Sequence, residues 1–107
     1  MNAPTVRIEQ VGEQIDVFLH GELTLDTAPT ARDALFKAIA QRAPTARHIR
    51  VNLAAVERID TSGLAILVET LLQARESKLR LCLQQVGTNT MQWLQLARLD
   101  SVFEIDA

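Results

Sequence analysis

The sequence predicts an α/β fold, in which a mixed sheet of four to five strands carries helices on one face. Four short segments alternate apolar and polar residues, which is the period of a strand with one buried side. Three other segments repeat apolar residues every three or four positions, as helices do. Because a parallel sheet covered on both faces would have nearly continuous apolar strands, the alternation indicates helices on one side only. Right-handed crossovers that advance in one direction produce this arrangement, so we expect the strands to lie side by side in chain order.

The strand predictions begin with an N-terminal antiparallel hairpin. Its arms alternate from Val6 to about Val11 and from Ile15 to His20, and the short turn at Gly12 to Gln14 joins them. Parallel strands are predicted after the hairpin, at Ile49 to Leu53 and at Leu79 to Gln84. The segments 21–25 and 54–59 are predicted to be loops, and 102–105 to be a short edge strand or a final half-turn.

Capping residues and apolar spacing place three helices. The first is expected to begin at Asp26 or Thr27 and to be ended by Pro44, which disfavours helical geometry at the residue before it. The second and third are predicted over 62–77 and 88–97. The apolar stripe predicted for the second helix consists of Leu64, Leu67, Val68, Leu71 and Leu72.

Composition excludes several function classes. The 107 residues are expected to form a single domain, 1–107, and nearly half of them are apolar. A formal net charge of −2, with both signs interspersed, gives no electrostatic footprint for nucleic acid or an anionic membrane. The single cysteine, Cys82, excludes an internal disulfide and a cysteine-built zinc site, and we expect no metal or cofactor. Met1 to Pro4 lacks the character of a signal peptide, and no apolar run approaches the roughly 20 residues that span a bilayer, so a cytoplasmic protein without membrane insertion is expected.

The most informative segment is Asp60-Thr61-Ser62-Gly63, between the third strand and the second helix. Each of its first three residues can cap a helix, because a side-chain oxygen there accepts a hydrogen bond from an unpaired backbone N–H. The helix dipole also favours negative charge at this end. Since the carboxyl ends of parallel strands share one edge of a sheet, the segments 22–26 and 85–88 are expected near this turn. The cluster is therefore either a helix cap or a binding site.

Two catalytic interpretations of this turn are weak. Its letters match the catalytic tetrad of aspartic proteases, but those enzymes are all-β and need two carboxylates that share a proton. A serine nucleophile at Ser62 would need a base within hydrogen-bond reach. Only His20 and His48 are available, and both are expected at solvated strand ends. We therefore do not expect an enzyme, and no catalytic residue is assigned.

The chain resembles the STAS domain family (sulphate transporter and anti-sigma factor antagonist) over nearly its whole length. In that family an apolar strand leads into Asp-(Ser/Thr)-Ser-Gly-(Leu/Val) and then a helix. Val51 to Leu53 and Ile59 to Leu67 match this hallmark, and Gly21-Glu22-Leu23 and Leu96 to Ile105 also fit the family. The resemblance is specific because these residues occur together and in this order; any four of them alone would be a weak signal.

The resemblance implies an anti-sigma factor antagonist in a partner-switching pathway. In such antagonists the serine that matches Ser62 is phosphorylated by the anti-sigma factor, a serine kinase, and Thr61 is the fallback acceptor. The unphosphorylated antagonist holds the kinase and frees the sigma factor. The alternative implied by the family is a small cytoplasmic subunit of an ABC-type lipid transporter that binds the ATPase subunit. The predicted partner-binding residues are Glu22, Leu23, Asp26, Glu57, Arg58, Asp60, Thr61, Ser62, Gly63, Leu64, Ile66 and Glu69.

A phosphate at Ser62 is also physically reasonable. It would add roughly −1.5 to −2 charges, and the exposed N–H groups of a helix N-terminus tolerate such a charge. We therefore expect phosphorylation to leave the fold intact and to change the partner surface. Ile66 would contribute to that surface if it is exposed beside Ser62; the other possibility is that it packs on a neighbouring helix.

Overall fold

The computed structural model describes residues 5–106, which form one five-stranded sheet and three helices. Expectations about Met1 to Pro4, including the absence of a signal peptide, lie outside the described residues. None of the helices in the described range combines the length and the apolar character that crossing a bilayer requires. In chain order the elements are β1 (Thr5–Val11), β2 (Gln14–Leu23), α1 (Ala28–Ala40), β3 (His48–Ile59), α2 (Thr61–Glu76), β4 (Arg80–Gln84), α3 (Thr88–Leu96) and β5 (Glu104–Asp106).

The topology confirms the predicted mixed sheet. Its strand order is β1-β2-β3-β4-β5, with β1 antiparallel to β2 and every later pair parallel. The last segment, for which a strand or a half-turn was expected, contains a short edge strand that pairs Ile105 with Leu83. Each strand therefore pairs with the one before it in the chain.

The two faces of the sheet differ as the alternation predicted. Ile15, Val17 and Leu19 are buried on the face that the helices cover, and they join one core with the apolar faces of α1 and α2. The other face carries polar side chains that pair across strands. Arg50 Nε lies 3.1 Å from Asp16 Oδ1, for example. Helices on one side of the sheet thus leave a polar, solvent-accessible surface on the other.

The predicted loop 54–59 is strand, and so are residues 21–23 of the predicted loop 21–25, so this part of the prediction was wrong. β2 continues to Leu23 and β3 continues to Ile59, and these two residues are paired in the parallel register. Register shifts interrupt the pairing between Phe18 and His20 and between Gly21 and Glu22. The backbone pairing continues through these irregularities, whereas the alternation of apolar and polar side chains does not. The strands predicted from that alternation therefore end before the observed ones.

The helix predictions hold in number and differ in detail. α1 ends at Ala40, before Pro44 can terminate it. α2 begins and ends one residue before the predicted limits, and its buried face is turned from the expected stripe. Leu72 is 54% exposed, whereas Thr70 and Ala74 are fully buried. The Thr70 hydroxyl donates to the Ile66 carbonyl at 2.7 Å, so its polar group is satisfied within the core.

Candidate functional site

The Asp-Thr-Ser-Gly turn lies where the longest strand of the sheet enters α2. β2 and β3 end side by side, because Leu23 pairs with Ile59 and the Asp60 N–H donates to the Leu23 carbonyl at 3.3 Å. The β2–α1 loop and the start of α2 are therefore adjacent. The expected convergence of the segments 22–26 and 54–62 is present in the structure.

The third segment expected there, 85–88, lies elsewhere. β4 ends with Gln84 opposite Asn52, while β3 continues past that point to Ile59. The loop after β4 instead borders a separate hollow with Ala54 and Met91. The shorter length of β4 thus removes this loop from the turn, and the sequence did not reveal that difference in length.

Asp60 joins the two loops through both of its carboxylate oxygens. Oδ1 accepts a hydrogen bond from the Gly63 N–H at 3.1 Å, which caps α2. Oδ2 accepts one from the Leu25 N–H at 3.1 Å, in the β2–α1 loop. The Asp60 main-chain carbonyl accepts from the Leu64 N–H at 3.0 Å. Of the two predicted alternatives, cap or binding site, this residue is the cap, and it also fixes the neighbouring loop.

Gly63 is required by the close approach of α2 to β2. A Cβ at this position would overlap the main-chain carbonyl oxygen of Leu23 and would lie 2.8 Å from Ile59 Cγ1. Neither neighbour can move freely, since one is backbone and both residues are buried at the ends of paired strands. The glycine in the motif therefore lets the helix begin against the end of the sheet.

The two hydroxyl residues of the turn face outward to different degrees. Thr61 is exposed and Ser62 is half-buried, so neither is enclosed in the core. Within the described residues, no hydrogen bond ties either hydroxyl to another protein group. Thr61 and Ser62 are also the first two residues of α2, and their N–H groups have no acceptor within the helix. Free hydroxyls and unpaired backbone donors therefore lie together at the start of α2, on the exposed rim of the sheet where β2 and β3 end.

Charged side chains surround this rim, and acidic ones predominate. Glu57 and Asp26 are exposed. Arg58 Nη1 lies 3.6 Å from Glu22 Oε2, and the Arg58 side chain is mostly exposed. On the adjoining helices Glu69 Oε2 lies 3.3 Å from Arg32 Nε, which joins α2 to α1. These ion pairs neutralise part of the acidic charge and leave the carboxylates of the loops facing solvent.

Several predicted contact residues are core residues, which corrects their assignment. The side chains of Leu23, Leu64 and Ile66 are 1%, 5% and 6% exposed, respectively. Of the two alternatives for Ile66, packing in the interior is the one observed, because the buried face of α2 includes it; its assignment as a partner contact is therefore wrong. These three leucine and isoleucine side chains support the rim from inside, and a docked partner could not reach them without opening the core.

The structure also adds one residue that the sequence analysis did not select. Leu25 is 71% exposed in the β2–α1 loop, and its N–H is held by Asp60. Thr27 tightens the same loop, because its hydroxyl donates to the Glu22 carbonyl at 2.7 Å and accepts from the Thr24 N–H at 2.9 Å. The only sign of Leu25 in the sequence was an apolar residue within a polar loop, and it belongs to no recognisable motif.

The histidines lie away from the turn's hydroxyls. His20 is exposed and pairs with Thr5 across the hairpin, while His48 begins β3 at the opposite end of that strand. Neither makes a hydrogen bond with Ser62 among the described residues. Residues 5–106 also contain no group of three His, Cys, Asp or Glu side chains placed to hold a metal ion.

Comparisons with known proteins agree with this geometry. A family model described as "Mlab, STAS domain" matches residues 6–104. A comparison with curated protein sequences finds no significant match. Among solved structures, an anti-sigma factor antagonist from Mycobacterium paratuberculosis is 25% identical, with a TM-score of 0.83 over 96% of this chain and 85% of the other.

Two further structures share the fold at lower identity. A putative anti-sigma factor antagonist from Thermotoga maritima has 21% identity and a TM-score of 0.82, covering 95% of this chain and 86% of that one. The Bacillus cell fate determinant SpoIIAA in its phosphorylated form has 18% identity and a TM-score of 0.70, covering 96% and 92%.

Proposed function

The chain belongs to the STAS domain family, and from that premise we propose that it is an anti-sigma factor antagonist controlled by phosphorylation of Ser62. Its partner would be an anti-sigma factor that is also a serine kinase. The observation that carries this proposal is the combination at one rim of accessible hydroxyls, unpaired backbone donors and a rigid support. The similar structures whose names call them antagonists support the same class of function.

A phosphate on Ser62 would meet favourable backbone groups within its own protein. The N–H groups of Thr61 and Ser62 have no helical acceptor, and the positive end of the helix dipole lies at this point. Asp60 does not compete for these two donors, because its Oδ1 is used by Gly63. The site can therefore accept roughly −1.5 to −2 additional charges without unfolding.

The fold is expected to be unchanged by this modification, so that the switch acts on the surface. SpoIIAA offers a parallel in another protein: its unphosphorylated and phosphorylated structures both match this chain with a TM-score of 0.70. In this chain the phosphate would be added to a rim that already carries Glu57 and Asp26. A partner that pairs with the unmodified rim would then face a larger and differently placed negative charge.

We name the exposed part of this surface the docking rim. It consists of the accessible predicted contacts together with the newly identified leucine: Glu22, Leu25, Asp26, Glu57, Arg58, Thr61, Ser62 and Glu69. Leu25 would supply the apolar contact and the carboxylates the charge complementarity. The partner's surface should accordingly present an apolar hollow bordered by basic side chains.

The test is phosphorylation and binding measured on the same set of variants. We expect the protein isolated from its native host to carry about 80 Da of added mass, one phosphate, localised to Ser62. Ser62→Ala should bind the cognate kinase and resist modification, whereas Ser62→Asp should bind it more weakly. Ser101→Ala is the matched control, because Ser101 is exposed and lies near the C-terminal strand. Equal binding by Ser62→Ala and Ser62→Asp would refute control at this residue.

A second candidate function is a subunit of an ABC-type lipid transporter that binds the ATPase subunit through the same rim. One observation favours keeping it: the description of the matching family model names Mlab and no sigma factor. In this case Thr61 and Ser62 would contact the ATPase unmodified. Co-purification from the native host separates the two, since it would yield an ATPase and a permease in one case and a kinase in the other.

A further inference from the structure

β1 is a long strand with one unpaired side. Among residues 5–106, it pairs only with β2 and forms one edge of the sheet, while the other edge is the short β5. β1 has seven residues and shows no register shift against β2. An exposed edge of this length presents a row of free N–H and C=O groups, which is a template for pairing with another chain.

The hairpin turn determines which groups face outward. Gly12, at φ +60°, and Glu13 form a two-residue turn between Val11 and Gln14. The residues that close such a turn are hydrogen-bonded to each other, and the bonding alternates along the ladder from there. Every second residue of β1 therefore directs its backbone groups away from β2. These outward residues are Val6, Ile8 and Gln10.

The side chains of β1 form a self-complementary pattern about Ile8. Arg7 and Glu9 lie on the open face of the sheet, where Arg7 Nη1 is 3.1 Å from Glu9 Oε2 and both side chains are largely exposed. Ile8 lies on the helix face and is 41% exposed. Beside it runs a groove of about 320 Å³, lined by residues that include Ala34 and Ala38 of α1. A positive and a negative charge thus flank an accessible apolar residue.

We propose that two copies of this chain pair antiparallel through their β1 strands, with the two-fold axis at Ile8. Only Val6, Ile8 and Gln10 can form backbone hydrogen bonds with the second copy. Among the registers that keep most of the strand paired, the two-fold axis can therefore lie at Arg7, Ile8 or Glu9. The axis at Arg7 places the two Arg7 side chains opposite each other, and the axis at Glu9 does the same with the two glutamates. The axis at Ile8 places each Arg7 opposite Glu9 of the other copy.

The charge pattern therefore selects one register. Opposite charges across a strand pair stabilise it and like charges destabilise it. In the selected register the Arg7 and Glu9 positions form non-hydrogen-bonded pairs, in which the backbones approach more closely and the side chains meet. The backbone bonds come from Ile8 to Ile8, and from Val6 to Gln10 in both directions. The two Ile8 side chains meet on the helix face beside the groove.

This self-pairing leaves both docking rims accessible. The β2 strands of the two copies would run in opposite directions, so the rims would lie at opposite ends of one continuous sheet. The arrangement is closed, because the interface is used by both copies in the same way. It is independent of the proposed phosphorylation of Ser62.

The experiment is sedimentation velocity of the full chain over roughly 1 µM to 1 mM, the range suited to a small interface. We expect the wild type to shift toward twice the monomer mass as concentration rises. Arg7→Glu and Glu9→Arg should each weaken association by about tenfold or more, because each places like charges opposite each other. The doubly exchanged variant, with both substitutions in one chain, should associate as the wild type does.

Mixing the two single variants gives the sharpest result. One variant has negative side chains at both positions and the other has positive side chains, so each repels itself while the mixed pair is complementary. We expect the mixture to dimerise at concentrations at which each variant alone remains mostly monomeric. A wild type that stays monomeric up to about 1 mM, a dimer that the reversals leave unchanged, or a mixture that fails to associate would overturn the proposal. Circular dichroism of each variant establishes that the fold is retained.

Discussion

Removing the Asp60 carboxylate should destabilise the protein and release the β2–α1 loop. Loss of a helix N-cap costs about 0.5–2 kcal/mol, and Oδ1 of Asp60 supplies that bond to Gly63. Loss of the bond to Leu25 adds about 0.5–1.5 kcal/mol, toward the lower end because this bond is solvent-exposed. We therefore expect Asp60→Ala to lower the free energy of unfolding by about 1–3 kcal/mol.

Urea unfolding followed by the fluorescence of Trp93, the single tryptophan, measures this change. Asp60→Asn should cost less, because its one amide oxygen can still cap α2 but cannot serve both loops. Asp26→Ala is the matched control. Asp26 is an exposed aspartate in the β2–α1 loop that makes no hydrogen bond among the described residues, so its removal should leave stability nearly unchanged. Amide exchange should quicken at Leu25 in both Asp60 variants. If Asp60→Ala and Asp26→Ala unfold at the same urea concentration, the reasoning about the two-sided carboxylate is refuted.

Three further predictions concern other features of the molecule. Gly63→Ala should cost about 1–3 kcal/mol of stability in urea unfolding, because its Cβ overlaps the β2 backbone. Gly87→Ala is the control: this glycine lies in open space at the start of α3, and the change should alter stability by less than about 1 kcal/mol. Equal costs for the two substitutions would contradict the close approach of α2 to β2. Leu25→Ser should weaken partner binding by about tenfold, near 1.4 kcal/mol, with stability unchanged. Leu96→Ser, at a similarly exposed leucine on α3, should leave binding intact, and the opposite ranking would remove Leu25 from the docking rim. Burial, assisted by Asp106 and Glu104, raises the pKa of the Cys82 thiol, so Cys82 should react with a disulfide reagent more slowly in the native protein than in urea near pH 8, and equal rates would contradict this. The same shift gives a stability contribution that is present below the pKa of the unfolded thiol and is lost as pH rises through the higher folded pKa.

Local patterns predicted the architecture because the three central strands, β2, β3 and β4, each have one buried face. The alternation of Ile15, Val17 and Leu19 reports that face directly, and with it the one-sided layer of helices. Element ends were harder to predict where pairing continues without alternation. β3 remains paired through Ala55 and Val56, although these residues no longer alternate with polar neighbours.

The site was predicted in position and only partly in detail. The motif located Thr61 and Ser62 at the mouth of a helix, and the structure places them there. It could not distinguish side chains that support the rim from those that form it, since Ile66 and Leu25 are both apolar residues near the motif. Their burial depends on the rotation of α2 about its axis and on a hydrogen bond between loops, which are tertiary properties.

The consecutive order of the strands has a consequence for how the chain is made. Each strand after β1 finds its neighbour already synthesised when it emerges from the ribosome, because neighbouring strands in the sheet are also consecutive in the chain. The hairpin comes first and each crossover unit then adds one strand beside the last, so the sheet grows at one edge only, the edge opposite β1.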